Sequence, residues 1–187
     1  MLDNVRADFK RYAGEKPTVR SAFYALTEVA WWALVTFRLG KAIQRIRFGI
    51  VRKPLTAFYF FLYKFMEIVS GVRISIDSEI GPGLQIHNFG GIIIHGRLGR
   101  DCTIVQGAQL VSRGDFKGRG WPTLGDEVYV GTGAKILGPV TIGNRVRIGA
   151  NAVVRDDVPD DAVVLPPESA VVIRPRASRR QSDSIES

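Results

Sequence analysis

Aliphatic residues recur at every sixth position over the second half of the chain, and this spacing dominates its hydrophobic pattern. A six-residue period fits neither the 3.6-residue turn of an α-helix nor the two-residue alternation of a strand. It predicts a solenoid in which each hexad forms one short strand and one corner, so that three hexads complete one coil of a triangular prism. These anchor positions are Ile74, Ile80, Ile86, Ile92, Leu98, Ile104 and Leu110, followed by Leu124, Val130, Ile136, Ile142, Ile148 and Val154.

Residues four positions after the anchors are mostly small or compact, as tight interior corners require. They include Ser78, Gly90, Gly96, Cys102, Ala108, Val128, Ala134, Val140, Val146, Ala152 and Val158. A sandwich of short strands would show turn signals at intervals of about 8–12 residues instead. The pattern therefore favours the solenoid.

One interruption breaks the second half of the pattern. Fourteen residues separate Leu110 from Leu124, and two uninterrupted hexads would need twelve. Residues 111–123, rich in glycine and charge, are therefore predicted to form a protruding loop that reaches across a groove and carries specificity. A solvated charge cluster without function is the alternative.

The first part of the chain follows a different pattern, with two aromatic-rich and nearly continuous apolar segments at residues 22–39 and 55–69. Both predict helices, and neither is a comfortable membrane span, because charges interrupt them and about 20 apolar residues are normally needed. The chain thus divides into a helical region at residues 1–70, a solenoid at 71–173 and a polar, serine-rich tail at 174–187. The composition of the tail predicts disorder.

Charge is concentrated in the helical region. The net charge is +8, of which residues 1–70 contribute +7 and residues 71–187 only +1. Residues 22–69 accordingly fit a peripheral contact with an anionic membrane surface. They equally fit protein contact, in which the helices cap the end of the solenoid and pack on neighbouring subunits. Nucleic-acid binding is not expected, because no recognition motif accompanies the basic residues.

Three further features of the sequence concern the location of the protein, its cysteine and metal binding. The N-terminal segment lacks the apolar core of a secretory signal, so we expect a cytoplasmic protein, with the inner face of the membrane as a possible peripheral location. Cys102 is the single cysteine and stands at an interior corner position, where packing is its expected role. No motif with metal-ligand spacing is present, so no metal is expected.

The segments GPGLQIHNFGGIIIHGRLG, CTIVQGAQL and VYVGTGAKILGPVTIGNRVRIGANAVV resemble the hexapeptide-repeat acyltransferases, in particular their serine acetyltransferase branch. This branch includes serine O-acetyltransferases and related enzymes that O-acetylate sugars in polysaccharide synthesis. The resemblance spans residues 71–173. It implies an α+β chain with a left-handed parallel β-helix, a homotrimer with active sites between subunits, and acetyl-CoA as the co-substrate.

The resemblance also implies where acetyl-CoA would bind. Its pantetheine arm would run along one face of the solenoid, and basic side chains would contact the nucleotide phosphates. The implied residues are Gly131, Thr132, Gly133, Ala134, Gly149 and Ala150 for the arm, with Lys135, Arg145, Arg147 and Arg174 for the phosphates.

Acetyl transfer to a hydroxyl needs a general base, and histidine suits that role near neutral pH. His87 lies on the stretch where the family places its catalytic histidine, but the family slot itself, two residues after the anchor, holds Asn88. Either His87 acts from the adjacent position or the protein is an inactive trimeric scaffold. Backbone N–H groups of Gly90 and Gly91 are candidates for holding the oxyanion.

The acceptor residues also depart from the family pattern. Where serine acetyltransferases carry an aspartate in the first coil and a second histidine before a proline, this chain has Arg73 and Trp121. Trp121 suits a pyranose ring, although it could instead be a hydrophobic plug under the loop. Asp115 and His95 complete the predicted acceptor site, although the position of His95 on the outer turn of its hexad favours a surface or subunit-contact role over a second catalytic one. We therefore expect a sugar O-acetyltransferase acting in exopolysaccharide or lipid-linked glycan synthesis, with serine O-acetylation as the alternative.

Overall fold

Four helices precede a solenoid of short parallel strands in the computed structural model, which describes residues 2–88, 90–112 and 120–166. The helices are α1 (Leu2–Ala13), α2 (Val19–Thr27), α3 (Val29–Gln44) and α4 (Gly49–Ser70). The predicted helical region is confirmed. Its first apolar segment is divided between α2 and α3, however, because Glu28 adopts an extended conformation (φ −72°, ψ 114°).

The strands form three parallel sheets, one for each face of a triangular prism. Sheet 1 contains β1 (Val72–Ile74), β4 (Ile92–Ile94), β7 (Gln109–Val111), β10 (Lys135–Leu137) and β13 (Val153–Val154). Sheet 2 contains β2 (Glu79–Ile80), β5 (Arg97–Leu98), β8 (Thr123–Leu124) and β11 (Thr141–Ile142). Sheet 3 contains β3 (Gln85–His87), β6 (Thr103–Val105), β9 (Tyr129–Val130), β12 (Arg147–Ile148) and β14 (Val163–Val164). The left-handed parallel β-helix expected from the six-residue period and the family resemblance is confirmed.

The anchors form the core of this prism. All thirteen are at most 8% exposed, and twelve of them stack in register, as in the pairs Ile80–Leu98 and Leu98–Leu124. Ile92 is the exception, because it pairs with Val72, and the equally buried Ile94 pairs with Ile74 and Leu110 instead. The small residues predicted at the corners are also buried, apart from the partly exposed Gly90 and Val158. Cys102 is fully buried as a free thiol, and burial raises its pKa to about 11, which agrees with a packing role.

The predicted size of the loop insertion is wrong. β7 belongs to sheet 1 and β8 to sheet 2, so the chain takes a single step between neighbouring sheets over the fourteen residues from Leu110 to Leu124. The same step takes six residues in the next coil, from Ile136, which pairs with Leu110, to Ile142, which pairs with Leu124. The insertion is therefore eight residues long rather than two, and part of it, residues 113–119, lies outside the described structure.

The helices cap the first coil of the prism. Leu34 and Phe37 of α3 are at most 1% exposed and join the same hydrophobic core as Ile74 and Ile86. Burial of one such side chain contributes about 1.5–3 kcal/mol. α4 ends at Ser70, and the left-handed backbone of the capping Gly71 (φ 62°) directs the chain into β1.

A buried ion pair fixes α1 and α3 to the prism. The Arg38 Nε donates to Asp8 at 2.9 Å, and the Arg38 guanidinium also donates to the carbonyls of Ile80 and Gly81 at 2.7 and 2.6 Å. The Asp8 carboxylate accepts the N–H groups of Gly83 and Leu84 at 2.8 and 3.0 Å. The pair thus satisfies backbone groups that the first coil would otherwise expose at its open end.

No helix within the described ranges is both long and apolar enough to span a bilayer.

Candidate active site

The predicted site residues fall on two different edges of the prism. The edge between sheets 3 and 1, called here edge 3–1, carries His87 and Asn88 and most of the residues implied for acetyl-CoA. The edge between sheets 1 and 2, edge 1–2, carries His95 and Trp121. Within one copy of the chain, sheet 1 therefore lies between the predicted base, His87, and the predicted acceptor residues His95 and Trp121.

At edge 3–1, His87 and Asn88 are both exposed, because the strand alternation turns the preceding Ile86 into the core. Asn88 has a left-handed backbone (φ 61°), a conformation in which asparagine costs less than most residues. The His87 and Asn88 side chains border a cavity of about 200 Å³ whose opposite wall includes Tyr12, Tyr24 and Glu28 of the helical cap.

Backbone hydrogen bonding distinguishes the two candidates for the oxyanion donor, the N–H groups of Gly90 and Gly91. The Gly90 N–H donates to the Ser70 carbonyl at 2.9 Å, so it is already used by the fold. The prediction for Gly90 is therefore corrected, and Gly91, with φ 69°, is the remaining candidate.

The residues implied for the pantetheine arm stack in successive coils along edge 3–1. Asn88, Gln106, Thr132 and Ala150 each follow a stacked anchor by two residues. Thr132 and Ala150 are exposed, whereas Ala134 is fully buried and belongs to the core. Gly131 is also buried, and Gly133 and Gly149 are partly exposed. Thr132 and Ala150 are therefore the most accessible of the residues implied for the arm, and contact through Gly131 and Ala134 stays a prediction.

Glycines keep this edge narrow. A Cβ on Gly107 would lie 3.5 Å from the Gly133 Cα, and one on Gly91 would lie 3.5 Å from the Gly107 Cα. All three glycines have φ between 69° and 74°, which few L-residues adopt. Edge 3–1 therefore carries no side chains at these three positions, and we refer to this strip of exposed and partly exposed backbone as the trough.

Two of the basic residues flank the trough. Lys135 follows it on sheet 1, and Arg147 precedes it on sheet 3, where its guanidinium lies 5.9 Å from the Tyr129 ring centroid. Arg145 does not belong to this group, because it lies on the edge between sheets 2 and 3 and binds Asp161 through two hydrogen bonds of 2.6 and 2.7 Å. Arg174 lies outside the described residues.

At edge 1–2, the His95 imidazole stacks on the Trp121 indole with ring centroids 3.1 Å apart. Both rings line a cavity of about 340 Å³, together with the carboxylates of Asp77 and Glu79 and the Arg97 guanidinium. Burial lowers the pKa of His95, while the Asp77 carboxylate acts in the opposite direction. The imidazole is therefore mainly neutral near pH 7, as a hydrogen-bond acceptor or base requires.

Trp121 is 43% exposed, and the loop residues 113–119 under which a plug would lie are outside the described structure. The contact of Trp121 with His95 was not predicted from the sequence, although the spacing of these residues from the anchors indicates it. Asp77, His95 and Trp121 each stand three residues before a stacked anchor of sheet 2, namely Ile80, Leu98 and Leu124. Assigning each hexad to its sheet would have placed the three residues in one column.

Arg73 does not line this cavity. Arg73 lies on sheet 1, where its Nε donates to the Glu67 carboxylate of α4 at 2.6 Å, and this carboxylate raises the pKa of Arg73. Asp115 lies outside the described residues. Among the residues that are described, no three His, Cys, Asp or Glu side chains are placed to share a metal ion.

A hexapeptide β-helix with a helical cap and polar residues on two of its edges defines the class of hexapeptide-repeat transferases. A family model for the bacterial transferase hexapeptide (six repeats) matches residues 122–156. The serine acetyltransferase of Helicobacter pylori strain J99 is 36% identical over 179 residues, covering 94% of this chain and all of that protein. The enzyme of the same name from Synechococcus elongatus is 32% identical over 177 residues, covering 93% of this chain and 70% of that protein.

Solved structures agree with this assignment. Neisseria gonorrhoeae serine acetyltransferase in complex with serine superimposes with a TM-score of 0.71 at 28% identity, covering 93% of this chain and 68% of that one. A serine acetyltransferase in complex with CoA gives a TM-score of 0.71 at 25% identity, covering 87% of this chain and 65% of that one. The chain belongs to the serine acetyltransferase family of hexapeptide-repeat transferases and is an acyltransferase.

Proposed function

We propose that the protein transfers an acetyl group from acetyl-CoA to a hydroxyl group, with L-serine as the first acceptor to test. The observation that carries this proposal is the 36% identity to a serine acetyltransferase over that protein's whole length. It favours serine over the sugar acceptor that the sequence alone suggested. The cavity at edge 1–2 offers the Asp77 carboxylate to an ammonium group, whereas Arg97 pairs with Glu79 at 3.2 Å and would exchange this exposed partner for a substrate carboxylate.

Acetyl-CoA is proposed to bind along the trough of edge 3–1. The glycines leave room for the pantetheine arm, and Lys135 and Arg147 stand beside it with positive charges suited to phosphate groups. Thr132 and Ala150 present their exposed backbone and side chains to the same trough.

The protein is proposed to act as a homotrimer. In a trimer with edge 3–1 of one copy facing edge 1–2 of the next, His87 and Asn88 would share a cleft with His95 and Trp121 of the neighbouring copy. This arrangement supplies what one copy lacks, a place where the acetyl donor, the acceptor and a base meet. It also follows the closed symmetry that is usual for soluble oligomers.

In the proposed reaction, an imidazole nitrogen takes the proton from the acceptor hydroxyl as its oxygen attacks the thioester carbonyl carbon. The oxyanion that forms would accept the Gly91 N–H. Collapse of this intermediate breaks the C–S bond, and the proton passes from the imidazolium to the departing CoA sulfur. His87 is the proposed base, and His95 is the second candidate because its pKa is lowered.

A sugar hydroxyl remains the second candidate acceptor, for a specific reason. The exposed Trp121 indole beside two carboxylates combines an apolar face for C–H groups with acceptors for hydroxyls, and Arg73 is occupied by Glu67. Contact of residues 22–69 with a membrane would bring such an enzyme close to lipid-linked glycans. The inactive trimeric scaffold that Asn88 raised as an alternative is not proposed, because the chain belongs to a family of acyltransferases.

The deciding experiment measures release of free CoA from acetyl-CoA by the purified full chain, with L-serine or a panel of nucleotide sugars as acceptor. The wild type is compared with H87A and H95A, and N88H restores the histidine at the family position. Turnover with serine that is lost in H87A supports the proposal. Turnover only with sugars would select the second candidate, and acetyl-CoA binding without any turnover that N88H then restores would identify the scaffold.

A further inference from the structure

The connection between α3 and α4 exposes a continuous stretch of apolar side chains at one end of the helical cap. We refer to residues 45–58, which link the two helices and form the first turns of α4, as the α3–α4 tip. Every residue from 47 to 58 is exposed, including Phe48 at 78%, Ile50 at 90% and Phe58 at 63%. Contiguous exposed apolar surface of this kind commonly marks an interaction site.

The same tip is strongly basic. Arg45, Arg47, Arg52 and Lys53 are all exposed, and none of them forms an ion pair within the described part of the chain. The sequence contains no aspartate or glutamate between Glu28 and Glu67. The exposed apolar side chains are therefore surrounded by positive charges only. A surface that binds them should consequently be negatively charged.

The cap does not need these side chains for its own packing. α3 meets α4 closer to the prism, where Gly40 lies against the Tyr59 ring, and Tyr63 donates to the Ile74 carbonyl at 3.2 Å. The core residues of the cap, such as Leu34 and Phe37, also belong to the segment preceding the tip. Removal of exposed tip side chains should consequently leave the fold intact.

We infer that the α3–α4 tip docks on an anionic phospholipid surface, with Phe48, Ile50 and Phe58 entering the interface and the four basic side chains contacting headgroups. Aromatic and aliphatic residues among Lys and Arg are typical of helices that lie in the membrane interface. The tip is too short to span the bilayer. This inference does not depend on the acceptor or on the proposed reaction.

A second copy of the chain is a less suitable occupant. A two-fold contact through the tip would place the same surface of each copy against the other, because such contacts are self-complementary. Eight cations would then meet without a carboxylate of the tip between them. An anionic lipid surface offers the opposite charge over the whole area.

The test is flotation of the purified full chain with vesicles of phosphatidylcholine alone or mixed with phosphatidylglycerol. The wild type should float with the anionic vesicles at low salt, and less at high salt because the charges are screened. Two charge removals, R47Q and R52Q together, should weaken the partition by roughly 30-fold, at about 1 kcal/mol for each basic residue near the surface.

The matched control is R100Q with R155Q, which removes two exposed arginines of the solenoid and should leave flotation unchanged. A second variant, F48S with I50S, should lose flotation while its circular dichroism and its assembly mass stay those of the wild type. Absence of flotation at low salt, or equal losses in the R47Q/R52Q and R100Q/R155Q variants, would overturn the inference. So would a reduced assembly mass of F48S/I50S without lipid, because the tip would then be a contact between copies.

Discussion

Replacement of Arg38 by Met should destabilise the helical cap more than any change to a surface ion pair. The substitution keeps much of the side-chain volume but leaves the Asp8 carboxylate buried without its counter-ion. Breaking a buried pair in this way costs about 3–5 kcal/mol. The Ile80 and Gly81 carbonyls lose their donors as well, at about 1–3 kcal/mol for each group that stays buried.

These amounts are a large part of the total stability of a typical domain, about 5–15 kcal/mol. Urea unfolding followed by far-ultraviolet circular dichroism measures the effect, at one fixed protein concentration because oligomerisation shifts the midpoint. R38K should show an intermediate loss, since an ammonium group cannot reproduce the branched geometry of the guanidinium.

R145M is the matched control, because it breaks the exposed ion pair with Asp161 on the surface of the solenoid. Its effect should be far smaller, as exposed pairs are weakened by solvent and salt. If R38M lowered the urea midpoint no more than R145M does, the argument that the buried pair anchors the cap to the prism would fail.

Three further predictions concern the two edges. The His95 imidazole should titrate below the ordinary histidine pKa in an NMR experiment, and W121A should raise that pKa because it exposes the ring to water; an unchanged pKa in W121A would contradict burial by the indole. If the acceptor assay selects the sugar, the second candidate, W121A should raise its KM at least tenfold, the effect of losing about 1.4 kcal/mol, without changing the KM for acetyl-CoA, and an equal rise in both would remove Trp121 from the acceptor site. R147Q should raise the KM for acetyl-CoA several-fold and leave the acceptor KM alone, with R155Q as the control; no difference between the two variants would place the phosphates elsewhere.

The prism could be predicted because its signal is local and repeated. Each anchor places an aliphatic side chain in the core at nearly the same spacing. A single departure from the pattern therefore leaves the prediction of the fold unchanged. The size of the insertion could not be obtained in the same way, since spacing counts residues but does not say to which sheet a strand belongs. A step from Leu110 to Leu124 is compatible with one sheet change or two until the pairing of Leu98 with Leu124 is known.

The site was predicted less completely, because its contacts join residues that are distant along the chain. His95 and Trp121 are 26 positions apart, and only the stacking of two coils brings their rings together. The division of the first apolar segment at Glu28 was missed for a different reason. Two successive helices that both bury apolar faces produce one continuous apolar run, and a single extended residue between them leaves no clear break in it.

The insertion between β7 and β8 leaves the strand pairing on both sides of it intact. Leu110 still pairs with Ile94 before it, and Leu124 still pairs with Leu98 after it. The length and sequence of the insertion can therefore change during evolution while the coils on both sides keep their register. Chimeras that carry the corresponding segment of a relative between Ser112 and Gly120 should fold like the parent, and a comparison of their acceptor preferences would test the prediction that this loop carries specificity.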